Sequence, residues 1–163
     1  MANTVHLFLK VNGEDVQGES SQTSEGRENS IECTYFESDV MTAREVQSGL
    51  ATGRRQHKPL VIKKAIDKAT PLISKALCKN SKLEGEFKFY RPNPSGDGTT
   101  QQFFTVKITN GRVASQKLVN EWTRPGEPHA SPPQEEVAFV FQDITWTFVD
   151  GGIEHQDSWQ QSS

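Results

Sequence analysis

The sequence contains few of the residues that zinc sites, disulfide frameworks and membrane spans require. It has two cysteines, Cys33 and Cys78, which belong to no C-x-x-C pair, and four histidines that are scattered along the chain. This pattern gives no recognisable zinc site and favours buried free thiols in a reducing compartment over disulfides. No apolar run approaches the length of a membrane span, and the short run near the N-terminus lacks the basic flank of a secretory signal. We therefore predict no membrane insertion and, if the protein leaves the cell, export without a cleavable signal peptide.

Catalytic and cofactor-binding motifs are also missing. The most suggestive stretch is GLATGRRQHKP (49–59), which has two glycines and two consecutive arginines. A phosphate-binding P-loop needs G-x-x-x-x-G-K-[ST] at the start of a helix. Here Gly49 and Gly53 are one residue too close, Arg54 and Arg55 replace the Lys-Ser/Thr pair, and a strand is predicted to follow. Since no G-x-S-x-G nucleophile motif or calcium loop occurs elsewhere, we expect no catalytic residue, no cofactor and no metal.

Net charge is small, at −3, but the charges are unevenly distributed along the chain. Residues 14–45 carry nine acids against two arginines, whereas residues 54–68 carry six Lys or Arg against one aspartate. The basic stretch contains no aromatic residue that could stack on a base, so we predict no nucleic-acid binding. Two readings remain: ordinary solvated surface, or complementary poles suited to head-to-tail association of identical copies.

Period-two alternation of apolar residues predicts a mostly-β fold. The predicted strands fall at 5–11, 31–36, 59–66, 87–90, 104–108, 113–119, 137–141 and 144–148. In the third of these, Leu60, Ile62 and Ile66 are expected on one side and Lys63 on the other. Tight turns are predicted at 12–13, 92–98 and 110–111. A phase change near Gln142 and Asp143 predicts a β-bulge.

One helix is predicted over 70–80, with Thr70 as the N-cap and Pro71 at the first helical position. Residues 18–30, 47–57 and the proline-rich 120–134 are predicted as loops, and 151–163 as a C-terminal tail. Many short strands, one helix and no internal repeat predict a single domain over 1–163, a β-barrel or sandwich with one flanking α-helix.

Several long blocks, in order, resemble one protein family. They are ANTVHLFLKVNGEDVQGES (2–20), LATGRRQHKPLVIKKAIDKATPLISKAL (50–77), FKFYRPNPSGDGTTQQFFTVKI (87–108) and EEVAFVFQDITWTFVDGG (135–152). Together they resemble the haemolysin-coregulated protein (Hcp) family, the tube subunit of bacterial type VI secretion. The resemblance implies a β-barrel with one flanking helix, similar to phage tail-tube proteins, and no catalytic activity or cofactor.

The resemblance also implies an assembly and its partners. Family members form homohexameric rings that stack head to tail into a tube. A contractile sheath drives the tube out of the bacterial cytoplasm, with a spike protein at its tip. The lumen can carry and stabilise small effector proteins. An alternative is a specialised secreted member that acts as an effector or effector adaptor through its C-terminal region, although the tail from 151 is too short for a toxin domain.

In this family the 47–57 loop would extend toward the adjacent ring. The residues expected to make contact between rings or subunits are Gly49, Leu50, Ala51, Thr52, Gly53, Arg54, Arg55 and His57. We expect the two arginines to dock on an acidic surface of the next ring. Each such surface ion pair contributes only about 0–1 kcal/mol. Because salt screens exposed charges, we expect stacking to weaken as the salt concentration rises.

Overall fold

The computed structural model describes residues 3–121 and 132–159. Within them lie one helix, α1 (Thr70–Cys78), and two short 3₁₀ turns. The strands are β1 (Thr4–Val11), β2 (Glu14–Val16), β3 (Ile31–Cys33), β4 (Tyr35–Glu37), β5 (Val40–Arg44), β6 (Ala51–His57), β7 (Leu60–Ala65), β8 (Leu83–Pro92), β9 (Thr100–Val119), β10 (Gln134–Val140), β11 (Asp143–Phe148) and β12 (Ile153–Ser158). The predicted mostly-β class with one helix is confirmed.

Ten of these strands form one antiparallel sheet, which is rolled onto itself. Its main order is β2-β1-β8-β9-β10-β7-β4, with β3 on β1, and β11 and β12 branching from β9. Only Thr34 separates β3 from β4, so this short segment pairs with β1 at one end of the sheet and with β7 at the other. Phe36 on β4 packs 5.2 Å from Phe87 on β8, between ring centroids, across the interior. The expected barrel is therefore a rolled sheet whose ends are joined by residues 31–37, rather than one closed ladder.

The core lies inside this roll and is built from the alternating apolar residues. Leu7, Leu60, Phe87 and Phe139 are fully buried and come from four different strands. Each such side chain contributes about 1.5–3 kcal/mol relative to exposure. Helix α1 covers one side of the roll and buries Ile73 against it.

The longest strand, β9, corrects one predicted turn. Asn12 and Gly13 do form a tight turn, but Asn110 and Gly111 lie inside β9. Asn110 takes a left-handed φ of 52°, and the register with β8 shifts nearby, so the strand bends without reversing. A Cβ at Gly111 would lie 3.1 Å from the Val140 carbonyl oxygen and 2.9 Å from a Leu83 methyl group, so close packing favours glycine there. The bend lets β9 pair first with β8 and β11 and then with β10.

Two further boundaries differ from the predictions. The helix N-cap is Ala69 rather than Thr70, whose hydroxyl oxygen accepts a hydrogen bond from the Asp67 amide at 3.1 Å. At the predicted bulge near Gln142 the structure has a break between β10 and β11. Strand β10 pairs with β7 and with the second half of β9, whereas β11 pairs with the first half of β9. The proline-rich loop lies outside the described residues over 122–131, and so do 160–163 of the C-terminal tail.

A buried ion cluster fastens the helix to the sheet. Ile66, predicted to face inward, is 41% exposed, whereas Lys64 shares the inward face of β7 with Leu60 and Ile62 and is fully buried. The Lys64 ammonium lies 2.9 Å from carboxylate oxygens of both Glu135 on β10 and Asp67 before the helix. The alternation pattern predicts apolar residues on this face and does not predict Lys64 there, because a lysine in a strand usually points toward solvent.

We expect Lys64→Met to destabilise the fold by about 3–5 kcal/mol, because it leaves two carboxylates without their buried cation. The free energy of unfolding from chemical denaturation measures this loss. Lys63→Met is the matched control, since Lys63 lies on the outward face over the Tyr35 ring. Equal losses for the two variants would contradict the assignment.

Candidate functional site: the 40–57 hairpin and its base

The segment predicted as a loop is largely a β-hairpin. Strands β5 and β6 pair antiparallel with each other and, in the part of the chain that the structure describes, form a separate two-stranded sheet. The loop prediction for 47–57 is therefore wrong over Ala51–His57, which is strand β6. Its sequence, ATGRRQH, shows no apolar alternation because most of the strand has no buried face. Backbone pairing alone makes it a strand, and such pairing leaves no mark in the sequence pattern.

The hairpin tip exposes apolar side chains. Val46 is 99% exposed and Leu50 66% exposed, and both lie in the turn between the two strands. The Leu50 carbonyl accepts a hydrogen bond from the Glu45 amide at 2.8 Å, which closes the turn. Gly49 takes a left-handed φ of 74°, which favours glycine, whereas Gly53 lies in the strand without such a φ. Of these two glycines, only Gly49 has a backbone conformation that favours glycine.

At the base of the hairpin, two side chains of β6 converge on one carboxylate of β12. The Arg55 guanidinium donates to both oxygens of Asp157 at 2.6 Å and to the Ser158 carbonyl at 3.0 Å. The His57 Nε2 lies 2.6 Å from the Asp157 Oδ2. The Arg55 guanidinium is thus engaged within its own chain, and its docking on another ring stays a prediction. Arg54, on the opposite side of the strand, is exposed.

Aromatic rings surround the His57 side of this contact. His57 is buried, and its ring lies 5.6 Å from Phe141, 6.2 Å from Trp146 and 5.9 Å from Trp159, between centroids. Such surroundings limit the access of water and strengthen the hydrogen bonds that they enclose. The sequence reading missed Asp157, because its partners lie about a hundred positions away in the chain. The only signal was the concentration of aromatic residues in the C-terminal strands.

Residues 8–148 match the family described as "Type VI secretion system effector, Hcp". The chain belongs to the Hcp family. A "Major exported protein" of Pseudomonas aeruginosa PAO1 is 34% identical over 149 residues, which cover 90% of this chain and 84% of that protein. The family resemblance in the sequence is thereby confirmed.

Solved Hcp structures share the fold. The Hcp1 protein of E. coli EAEC 042, in a mutant form, superposes with a TM-score of 0.82 at 31% identity, over 97% of this chain and 99% of that one. A structure described as "Hcp protein" gives a TM-score of 0.84 at 22% identity, over 99% and 100% of the two chains. Hcp is a family of structural, secreted type VI proteins and not an enzyme family.

Within residues 3–121 and 132–159 of this Hcp chain, no three His, Cys, Asp or Glu side chains are placed to hold a metal ion. Burial raises the pKa of the Cys33 thiol to about 12 and lowers the pKa of His6 to about 4, so both groups are neutral near pH 7. No helix in the same ranges is long and apolar enough to cross a membrane.

Asp157 is the strongly acidic group of the hairpin base. Hydrogen bonds from Arg55 lower the pKa of this carboxyl from 3.8 to about 2, and the contact with His57 acts in the same direction, whereas burial opposes both. The folded state therefore binds this proton less readily than the unfolded state. The ionised carboxylate stabilises the fold above pH 3.8, and this contribution is lost as the pH falls toward about 2.

We expect Asp157→Asn to lower stability by about 1–3 kcal/mol near neutral pH, because the partly buried Arg55 and the buried His57 lose their charged partner. The Tm difference between wild type and variant should shrink as the pH falls from 3.8 to about 2, where wild-type Asp157 also becomes neutral. Thermal unfolding across this range measures the difference. Glu154→Gln, on the same strand, controls for the loss of a carboxylate. A Tm difference that does not change with acid would contradict the assigned pKa.

Proposed function

We propose that this chain is the structural subunit of a type VI secretion tube. Six copies form a ring, rings stack head to tail, and the tube leaves the bacterial cell without a cleavable signal peptide. The family match over most of the chain carries this proposal, and the name of the Pseudomonas relative, an exported protein, supports the secreted role. A contractile sheath, a spike protein at the tip and effector proteins in the lumen are the partners that this role requires.

The hairpin suits a contact with a neighbouring ring. A ring and a stack both need heterologous interfaces, in which two different surfaces of the same chain meet. The hairpin is a separate two-stranded element whose tip exposes Val46 and Leu50. Apolar side chains in such a position gain free energy when a partner covers them. We assign the ring contact to the exposed residues Gly49, Leu50, Ala51, Thr52, Gly53 and Arg54, and assign Arg55 and His57 to the hairpin base.

The C-terminal strand supports the tube role over a separate effector role. Ile153–Ser158 pair with β11 along their whole length, and Asp157 on this strand binds the hairpin. The described part of the C-terminal tail is thus an integral part of the Hcp fold rather than an appended module.

Native mass spectrometry and electron micrographs of the purified protein test this function. We expect hexamers and six-fold rings with an open lumen, and stacks of rings at low salt that shorten as salt rises, because exposed charges contribute to stacking. A compact monomer at every protein and salt concentration would overturn the proposal.

A further inference from the structure

The hairpin has little backbone attachment to the rest of the fold. Strands β5 and β6 pair only with each other among the described strands, whereas the other ten form one sheet. An isolated two-stranded hairpin is marginally stable in water. Lys58 and Asp39 hold the two legs of the hairpin together, through a backbone hydrogen bond of 3.0 Å and an exposed ion pair of 3.3 Å. These contacts close the hairpin, but they do not fix its direction relative to the sheet.

The carboxylate that Arg55 and His57 bind is itself rigidly placed. Asp157 lies opposite Ile144 in the β11–β12 ladder, and Ile144 belongs to the buried core. The next residue but one, Trp159, donates its backbone N–H to the Gln142 carbonyl at 3.0 Å, which fixes the end of β12 to the break between β10 and β11. The core thereby holds Asp157 in place.

Two points of contact on one strand define a direction. Arg55 and His57 are two residues apart on β6, so their side chains leave the same face of the strand. The guanidinium binds both carboxylate oxygens in a planar fork, a geometry that restricts rotation as well as distance. His57 adds a second contact nearer the base and packs among Phe141, Trp146 and Trp159.

We propose that Asp157 is a positioning residue that locks the hairpin in one orientation through Arg55 and His57, so that its tip is presented ready for contact with another copy of this chain. The lock is a property of the folded chain, and its consequence for stacking rests on the proposed function. A hairpin fixed before contact loses little conformational entropy when it docks, so the lock favours assembly without touching the partner.

Hydrogen exchange of the hairpin amides, followed by mass spectrometry, tests the lock directly. In Asp157→Asn we expect the amides of β5 and β6 to exchange about tenfold faster or more. Opening of the hairpin in wild type must break the contacts of Arg55 and His57 with Asp157, whereas in the variant these ionic contacts are already absent. Core amides of β8 and the first half of β9 exchange through global unfolding, so their exchange should rise by no more than the factor set by the variant's measured loss in free energy of unfolding. Wild type and variants are compared in the same oligomeric state, checked by size-exclusion chromatography.

Arg55→Gln removes the lock from the hairpin side and should give the same pattern, which separates loss of the lock from a defect in β12. Glu154→Gln is the matched control on β12 and should leave hairpin exchange at the wild-type rate. Unchanged hairpin exchange in both Asp157→Asn and Arg55→Gln overturns the lock, whatever the variants do in assembly. Faster hairpin exchange together with tubes as long as those of wild type supports the lock but rejects its effect on stacking, whereas a wild-type protein that stays a compact monomer rejects the proposed function, so the two proposals fail separately.

Discussion

The position of the hairpin depends on one ion pair, because almost none of its side chains lie in the core. Most protein elements are held by an apolar face, whereas β5 and β6 are mostly exposed and leave the roll as a separate sheet. The Asp157 carboxylate supplies the missing attachment by accepting from Arg55 and lying against His57. Since β12 is in turn tied to the core through β11, the ionic contact transmits the rigidity of the roll to an element that has no core of its own.

The same device appears where the helix leaves the sheet. Lys64 is buried between Glu135 and Asp67 at the point where β7 gives way to α1. At the start of the helix and at the base of the hairpin, a cation lies where the chain leaves the sheet. Apolar contacts alone would fix the orientation of the helix or hairpin only loosely at these points. Buried ion pairs add little net stability compared with apolar packing, but their geometry is specific. We infer that direction, rather than stability, is what these two clusters contribute.

The sequence predicted the elements that have a buried face. Alternation located Leu7, Phe87 and Phe139, and the Thr-Pro pair located the start of the helix within one residue. Strand β6 was missed because its pairing is made by backbone groups that every residue carries. An Asn-Gly pair predicts a turn that reverses the chain. In β9, Asn110 adopts the left-handed conformation typical of such turns, but the strand only bends there.

The family resemblance predicted contacts between rings or subunits at residues 49–55 and 57, and this stays a prediction. In the folded chain, residues 49–54 are exposed, whereas Arg55 and His57 lie at the hairpin base. The contact at the base was not predictable, because Arg55 and Asp157 are about a hundred residues apart and only the folded chain brings them together. Two adjacent arginines in a polar stretch favour the interpretation of a docking surface. The sequence does not indicate that Arg55 binds within its own chain while Arg54 is exposed.

The central claim is that the rigidly held hairpin joins one ring to the next. The most direct measurement is the length distribution of tubes, from electron micrographs, for the double variant Leu50→Asp with Arg54→Glu. Leu72→Asp with Lys75→Glu makes the same changes in charge at exposed positions of α1 and serves as the control. The account predicts intact single rings and no tubes for the hairpin variant, with tubes retained in the control. Tubes of wild-type length from the hairpin variant would contradict it.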